Sequence, residues 1–188
     1  MDIRIETSAR HIHLTVEDFK SLFGDIEPTK AKELSQGDFS CEEFVEIVGP
    51  KSSFKKVRLL VPFRDYSQLE ISRTDCYALG IDAPLKISGD LPGSNVKIVG
   101  PFGSLEKNIA IVAKRHLHIP PNEAEKLSLS NDDLIEVKTH GDRSLVLSNI
   151  IVRVKDTFKT AVHIDTDEAN AAGISADAIG ELILNSQE

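Results

Sequence analysis

The sequence predicts a mainly β fold with short helices, internally duplicated, and three observations carry that prediction. Short alternating or apolar runs recur along the chain between Gly- and Pro-rich turns, which points to barrels or sandwiches rather than a doubly wound sheet. A His-apolar-His triplet occurs twice, as His11-Ile12-His13 and His116-Leu117-His118. Each triplet is followed by a short capped helix pattern and a new strand, and the same context returns after the single His163, as an internal repeat requires.

Taken in order, residues 1–7 alternate apolar and polar as a strand does and hold no apolar signal-peptide core. Thr15 is placed to cap a helix over Val16–Phe23, with Asp18 as its capping-box partner and Gly24 as the stop. Residues 34–38 read as a turn, and Phe39–Val48 as an extended segment ending at Gly49-Pro50. Residues 51–56 read as a solvated basic hairpin tip, and 57–61 as the strand that follows. In 67–72 the alternation puts Gln68, Glu70 and Ser72 on one face and Leu69 and Ile71 on the other. Residues 85–88, 96–99 and 109–113 are further short strands, joined by turns at 89–93 and 100–103. These Gly-containing turns match neither a Walker nor a dinucleotide-binding pattern.

Pro120-Pro121 opens a helix running to about Lys126, where proline is tolerated in the first turn. Residues 134–138, 144–147 and 150–154 read as strands. Ala161–Asp165 then leads into a capped helix over Thr166–Ala172, stopped by Gly173.

At 188 residues the chain is one large domain or two small ones. No run approaches the ~18 apolar residues of a membrane helix, so the expectation is a cytoplasmic protein without a membrane partner. Cys41 and Cys76, with no Cys-x-x-Cys, read as reduced thiols. A net charge of -8 argues against nucleic acid, which calls for a dominant basic face. Two divalent cations would offset roughly half of that charge.

The candidate site follows from strand geometry. Side chains alternate with period two, so both imidazoles of each triplet face one side. Two such pairs in a chain with only 6 histidines favour metal ligation over solvent-facing edge residues. His11, His13, His116, His118 and His163 share a context at a strand end before a short helix; His140, in a turn, is taken as a surface residue. Two metals call for about six to eight ligands from protein and substrate together, and these five histidines plus Glu70 fit, with an exposed strand glutamate as the alternative for Glu70. Arg64 and Arg153 are the cations placed near an anionic substrate; Arg153, in an apolar strand, is a phosphate clamp or a snorkelling edge residue. Ser8 and Ser88 offer hydroxyls near strand ends. Neither lies in Gly-x-Ser-x-Gly, so a nucleophilic serine is not expected.

Five ordered segments carry a family resemblance: Ser-Ala-Arg-His-Ile-His-Leu at 8–14, Gln-Leu-Glu-Ile-Ser-x-Thr-Asp at 68–75, Ser-Gly-Asp-Leu at 88–91, Ala-x-Arg-His-Leu-His at 113–118 and His-Ile-Asp-Thr-Asp-Glu-Ala-Asn-Ala at 163–171. Together they resemble the phosphate propanoyltransferases, phosphotransacylases of bacterial fermentation, propanediol degradation and microcompartments. The resemblance spans about residues 3–174. It departs where Gln36-Gly37-Asp38 replaces Gln-Pro-Gly and where Leu60-Val61-Pro62-Phe63-Arg64 replaces Leu-Gly-Pro-x-Arg, which leaves Arg64 in register.

The resemblance implies two β-barrels capped by short α-helices. Residues 1–30 with 105–188 would form the first and 31–104 the second. It implies two zinc ions, one held by His11, His13 and Glu70, the other by His116, His118 and His163. Arg64 would bind phosphate, with Arg153, Gln36, Gln68, Ser8 and Ser88 in support. The reaction implied joins acyl-CoA (propanoyl-CoA or acetyl-CoA) and phosphate to give acyl phosphate and CoA. A homodimer and a downstream acetate or propionate kinase are the implied partners. With seven residues before Ser8, the expectation is a free cytoplasmic form without the microcompartment-targeting extension. A phosphate dianion is nucleophilic at neutral pH, so direct phosphorolysis without an acyl-enzyme is the mechanism expected. The alternatives from the same ligands are a dinuclear zinc thioester hydrolase and a non-catalytic metal- or CoA-binding module.

Overall fold

The computed structural model describes residues 1–175 and 177–183, which are mostly strand with four short helices among them. In chain order the elements are β1 (Asp2–Ser8), β2 (His11–His13), α1 (Val16–Phe23), β3 (Lys30–Glu33), β4 (Phe39–Val48), β5 (Ser53–Val61), β6 (Gln68–Glu70), α2 (Arg73–Leu79), β7 (Leu85–Lys86), β8 (Ser94–Val99) and β9 (Ser104–Ala113). They continue as β10 (His116–Ile119), α3 (Pro121–Lys126), β11 (Leu134–Lys138), β12 (Val146–Val154), β13 (Ala161–Asp165), α4 (Thr166–Ala172) and β14 (Asp177–Ile183).

The chain separates into two units, Arg10–Ala113 and Met1–Ala9 with the chain from Lys114 onward. Residues 10–30 were expected with the C-terminal half. They belong to the central unit because β2 pairs in parallel with β5 and antiparallel with β6. Residues 105–113 join it too, since β9 pairs with β6 and β8.

In the central unit β2, β5, β4, β8, β9 and β6 pair in succession and close on β2. β3 adds to β4 and β7 to β9. The core is built from alternate strand positions, among them Ile12, Leu59, Leu69 and Ile98, closed by Leu14, Phe19 and Leu22 from α1 and its approach. In the other unit β10, β12, β11, β14, β1 and β13 close a second barrel, filled by Ile5, Leu117, Ile150, Val152, Val162 and Ile164.

The two barrels repeat one plan. In each, the strand bearing the His pair is parallel to one neighbour (β5 or β12) and antiparallel to another (β6 or β13). That second neighbour is followed by a capped helix and is parallel to β9 in one barrel and β1 in the other. So β1 fills in its barrel the position that β9 fills in the central one.

Three local readings change. The Thr15 hydroxyl does accept from the Asp18 amide, 3.1 Å, but the Asp18 carboxylate does not return to the cap; it accepts from the Ser67 hydroxyl and from Lys107 Nζ at 2.5 Å. A buried carboxylate is better satisfied by a hydroxyl and an ammonium than by one amide. The strands expected at 144–147 and 150–154 are one strand, because Asn149 takes a left-handed φ of 58° and bends the chain without ending it. β3, Lys-Ala-Lys-Glu, is exposed at every position. It is a polar edge strand with no apolar face to announce it.

Candidate active site

Each barrel gathers three ligand-type side chains whose candidate atoms lie within 4.8 Å of one another. In the central unit these are His11, His13 and Glu70. The register sets them: His11 lies opposite Glu70 and His13 opposite Gln68 on adjacent strands, while Ile12 between them goes fully into the core. All three side chains are buried. His11 Nε2 is 3.7 Å from Glu70 Oε2, and the Ser88 hydroxyl donates to Glu70 Oε1 at 2.5 Å. Burial holds the His13 imidazole well below its ordinary pKa, and the charges of His11 and Arg64 push the same way. Its Nδ1 is buried and finds no hydrogen-bond partner among the described residues.

Gln68 is fully buried, and its amide is committed to the loop after Ser88. Its Nε2 donates to the Asp90 carbonyl at 2.9 Å and its Oε1 accepts from the Gly89 amide at 2.8 Å. Gln68 therefore fixes the loop that brings Ser88 to Glu70. Arg64 follows from the end of β5, and its amide donates to the Leu14 carbonyl at 3.1 Å. Its guanidinium donates to the Tyr66 hydroxyl at 3.3 Å and approaches the Asp38 carboxylate at 3.8 Å. Asp38 closes the turn that carries Gln36, with the Leu34 amide donating to the Asp38 carbonyl at 2.7 Å.

In the other unit the trio is His116, His118 and His163. His116 lies opposite His163 across β10 and β13, and their rings stack with centroids 5.2 Å apart. His116 Nδ1 is 2.9 Å from the Lys114 carbonyl. A carbonyl only accepts, so Nδ1 carries a proton, and in the neutral imidazole the lone pair is on Nε2. The His118 ring stacks on Phe158 at 3.9 Å. Arg153 is the register partner of His118 on β12, so the two share a face. Across β1 and β13, Glu6 pairs with His163 and Ser8 with Asp165, and Glu6 Oε2 is 3.7 Å from His163 Nε2. Burial raises the carboxyl pKa of Asp165 and of Glu168, the latter against the opposing pull of Arg115. His140 is exposed in a loop.

Within each unit the structure thus groups the residues singled out by sequence. His11, His13, Glu70, Ser88 and Gln68 form one connected set, with Arg64 beside His13 and Gln36 in the turn that reaches Arg64. His116, His118, His163 and Arg153 share the second. Glu6, Asp38, Tyr66 and Phe158 were not singled out; the pairing of β1 with β13 and the approach of the 34–38 turn are long-range and leave no local pattern. Among the described residues no helix is long and apolar enough to cross a membrane.

Comparison with known proteins places nearly the whole chain in one family. The sequence profile described as phosphate propanoyltransferase matches residues 4–175. A phosphate propanoyltransferase of Clostridioides difficile is 45% identical over 96% of this chain and 88% of its own length. One from Salmonella typhimurium is 46% identical over 91% and 83%, and one from Thermotoga maritima 43% identical over 96% and 87%. With nearly its whole length matched, the chain belongs to the phosphate propanoyltransferase family of acyltransferase enzymes.

Proposed function

We propose that the chain interconverts acyl-CoA and inorganic phosphate with acyl phosphate and CoA, by direct attack of phosphate on the thioester, with propanoyl-CoA or acetyl-CoA as the acyl donor. The observation that carries this reading is the pair of three-ligand clusters, one per barrel, in a chain of this family.

The donors suit a divalent ion, and zinc above the harder metals: five imidazoles and one carboxylate. A ligating imidazole must be neutral. The depressed pKa of His13, its buried unpartnered Nδ1 and the Nδ1-protonated tautomer of His116 all fit that demand. His11, His13 and Glu70 would hold one ion, and His116, His118 and His163 the other. Such an ion, when bound, supplies a Lewis acid for oxyanion charge and a soft partner for a thiolate.

In the reaction a phosphate oxygen bonds to the thioester carbonyl carbon, the C–S bond breaks, and its electron pair leaves on the CoA sulfur. Phosphate enters with its nucleophilic oxygen already deprotonated, so no residue is required as a base. The task left to the protein is to gather charge. Arg64 presents a fork matched to phosphate; its 3.8 Å approach to Asp38 is loose enough for an anion to displace. Arg153 adds a second cation. Ser8 and Gln36 offer further polar groups to phosphate. The Ser88 hydroxyl donates to Glu70 and orients that ligand. Gln68 braces the Ser88 loop. On the same reading the enzyme is a cytoplasmic homodimer, and an acetate or propionate kinase consumes the acyl phosphate.

The test is CoA-thiol release from acetyl-CoA and propanoyl-CoA, with and without phosphate, on zinc-replete and chelated protein and on His116→Ala. Release that needs both phosphate and metal and fails in the variant supports the proposal, and the rate ratio names the substrate. Equal release without phosphate makes the protein a thioester hydrolase. No release at all makes it a binding module.

A further inference from the structure

Two ion pairs outside the ligand trios occur at matching places in the two barrels. Arg10 immediately precedes His11, and Arg115 immediately precedes His116. Arg10 donates through Nε and Nη2 to the two oxygens of Asp75, at 3.1 and 2.6 Å. Arg115 Nε lies 2.6 Å from Glu168 Oε1. Asp75 and Glu168 hold the same helical position, the third residue of α2 and of α4. Both close a capping box, with Ser72 in one barrel and Asp165 in the other. α2 follows β6 after Ile71 and Ser72 and α4 follows β13 at once, and β6 and β13 carry the third member of each trio, Glu70 and His163, each five residues before its acid.

Each arginine also reaches the strand parallel to its own His pair. The Arg10 guanidinium lies 4.3 Å over the Phe54 ring of β5, and Arg115 Nη1 donates to the Ser148 carbonyl of β12 at 3.1 Å. One side chain thus spans the His-pair strand, its parallel neighbour and the helix cap behind its antiparallel neighbour. That arrangement occurs twice in one chain on the same strand plan.

We infer that Arg10–Asp75 and Arg115–Glu168 are duplicated positioning pairs, each setting the third ligand of its barrel against the His pair so that the trio is preorganised for its metal. This rests on the metal reading above. The physical ground is geometric. His11 and Glu70, like His116 and His163, meet only through the register of short strands, three residues long in β2 and β6. So few ladder bonds fix register weakly, and a one-residue slip turns every side chain to the opposite face. A charge-assisted clasp across the end of such a ladder removes that freedom. Outer contacts that orient ligands carry 10- to 100-fold in metal affinity. Asp75 is almost fully buried (4%) while the Arg10 side chain is 41% exposed, so screening reaches the pair from the arginine side only.

The test uses the full chain in two backgrounds that each leave one trio: His116→Ala/His118→Ala for the first and His11→Ala/His13→Ala for the second. Affinity is read by competition between the protein and a chromophoric chelator for zinc, and by the cobalt(II) absorption band. Asp75→Asn is expected to weaken the first trio roughly 10- to 100-fold and to leave the second unchanged; Glu168→Gln does the reverse. Asp75→Glu and Glu168→Asp, each placing one barrel's acid in the other, are expected to restore most of the affinity. Circular dichroism of the metal-free chains reports the fold.

Parent chains that bind no metal would sink the metal reading itself. Metal bound by the parents but unaffected by the variants, or lost from both trios alike, would overturn the positioning role. Should Asp75→Asn or Glu168→Gln not fold, Arg10→Gln and Arg115→Gln read the same contact from its other side. Loss of the native fold from both sides would make the pair structural and would also overturn the proposal.

Discussion

Arg64 gives the sharpest separation between fold and chemistry. Its replacement by alanine keeps the backbone bond from residue 64 to the Leu14 carbonyl and removes only the side-chain contacts. Those are a 3.3 Å hydrogen bond to the Tyr66 hydroxyl, a guanidinium 5.9 Å over the Tyr66 ring and a 3.8 Å approach to Asp38, from a side chain 27% exposed. An ion pair that long and that solvated is worth about 0–1 kcal/mol and the stretched hydrogen bond about 0.5–1.5 kcal/mol, so the fold loses about 1–2 kcal/mol. A charge-assisted hydrogen bond to phosphate is worth about 1.5–3 kcal/mol, which is roughly 10- to 150-fold in rate. The chemical loss should therefore fall on phosphate specifically, beside a modest loss of stability. The assay follows CoA release at saturating acyl-CoA while phosphate is varied, beside a urea melt. Arg64→Ala is expected to lower kcat/KM for phosphate by that factor with the KM for acyl-CoA within about twofold. Arg64→Lys should recover part of it, since an ammonium keeps the charge and loses the fork. Unchanged phosphate dependence in Arg64→Ala would refute the reasoning.

Three other outcomes are expected. Elemental analysis of the purified protein should find two metal equivalents per chain, and His11→Ala and His116→Ala should each lose about one, because removing one of three ligands opens a trio. Gly93→Ala should cost about 1–3 kcal/mol in a urea melt, since a Cβ at 93 would sit 2.4 Å from the Ala110 carbonyl oxygen on the strand that flanks Glu70; an unchanged midpoint would mean that β9 yields freely. Cys41, whose thiol burial pushes up to about 11, should resist thiol reagents at pH 8. The unfolded chain gives up this proton first, so the folding stability it contributes declines as pH rises from about 9 to about 11, and Cys41→Ala should flatten that decline in denaturant melts at pH 8, 9.5 and 11.

How far the sequence reaches depends on whether a feature is local. The His-x-His pairs, the caps at Thr15 and Gly173, the Pro-opened α3 and the face shared by Gln68 and Glu70 are set by residues within a turn of one another, and periodicity finds them. Barrel closure is not of that kind. The pairing of β1 with β13 and β14 joins residues from opposite ends of the chain; nothing in residues 1–7 reports it, and it was the family resemblance that supplied the two barrels. For the same reason nothing local in residues 10–30 assigns them to the central barrel, and nothing local places Glu6 beside His163. β3 was missed because an edge strand can be polar on both faces. The strand across Asn149 was split because asparagine is a turn residue that also tolerates a left-handed kink within a ladder. Arg10 and Arg115 stood in plain sight before each His pair, yet their partners become evident only when the N3 acids of α2 and α4 are seen to occupy equivalent places.

What the two barrels share and where they differ separates scaffold from chemistry. They share the ring order, the sense of each pairing, the capped helix after the third-ligand strand and the arginine clasp. Each of these makes a register or closes a core, and each would be needed by any trio held on two short strands. They differ at the third ligand, Glu70 against His163, and at the residue beside the second histidine, Leu60 against Arg153. They differ again beside the third ligand, where β9 supplies the apolar Ile111 and β1 the ionisable Glu6. The proposed transfer from sulfur to phosphate is itself asymmetric, with a soft, singly charged leaving group and a hard, doubly charged nucleophile. Two identical trios would suit one of these well and the other badly. A duplicated frame with unlike ligands and unlike neighbouring charges is the arrangement such a reaction asks for, so discrimination between the two reactants should reside in the positions where the copies diverge.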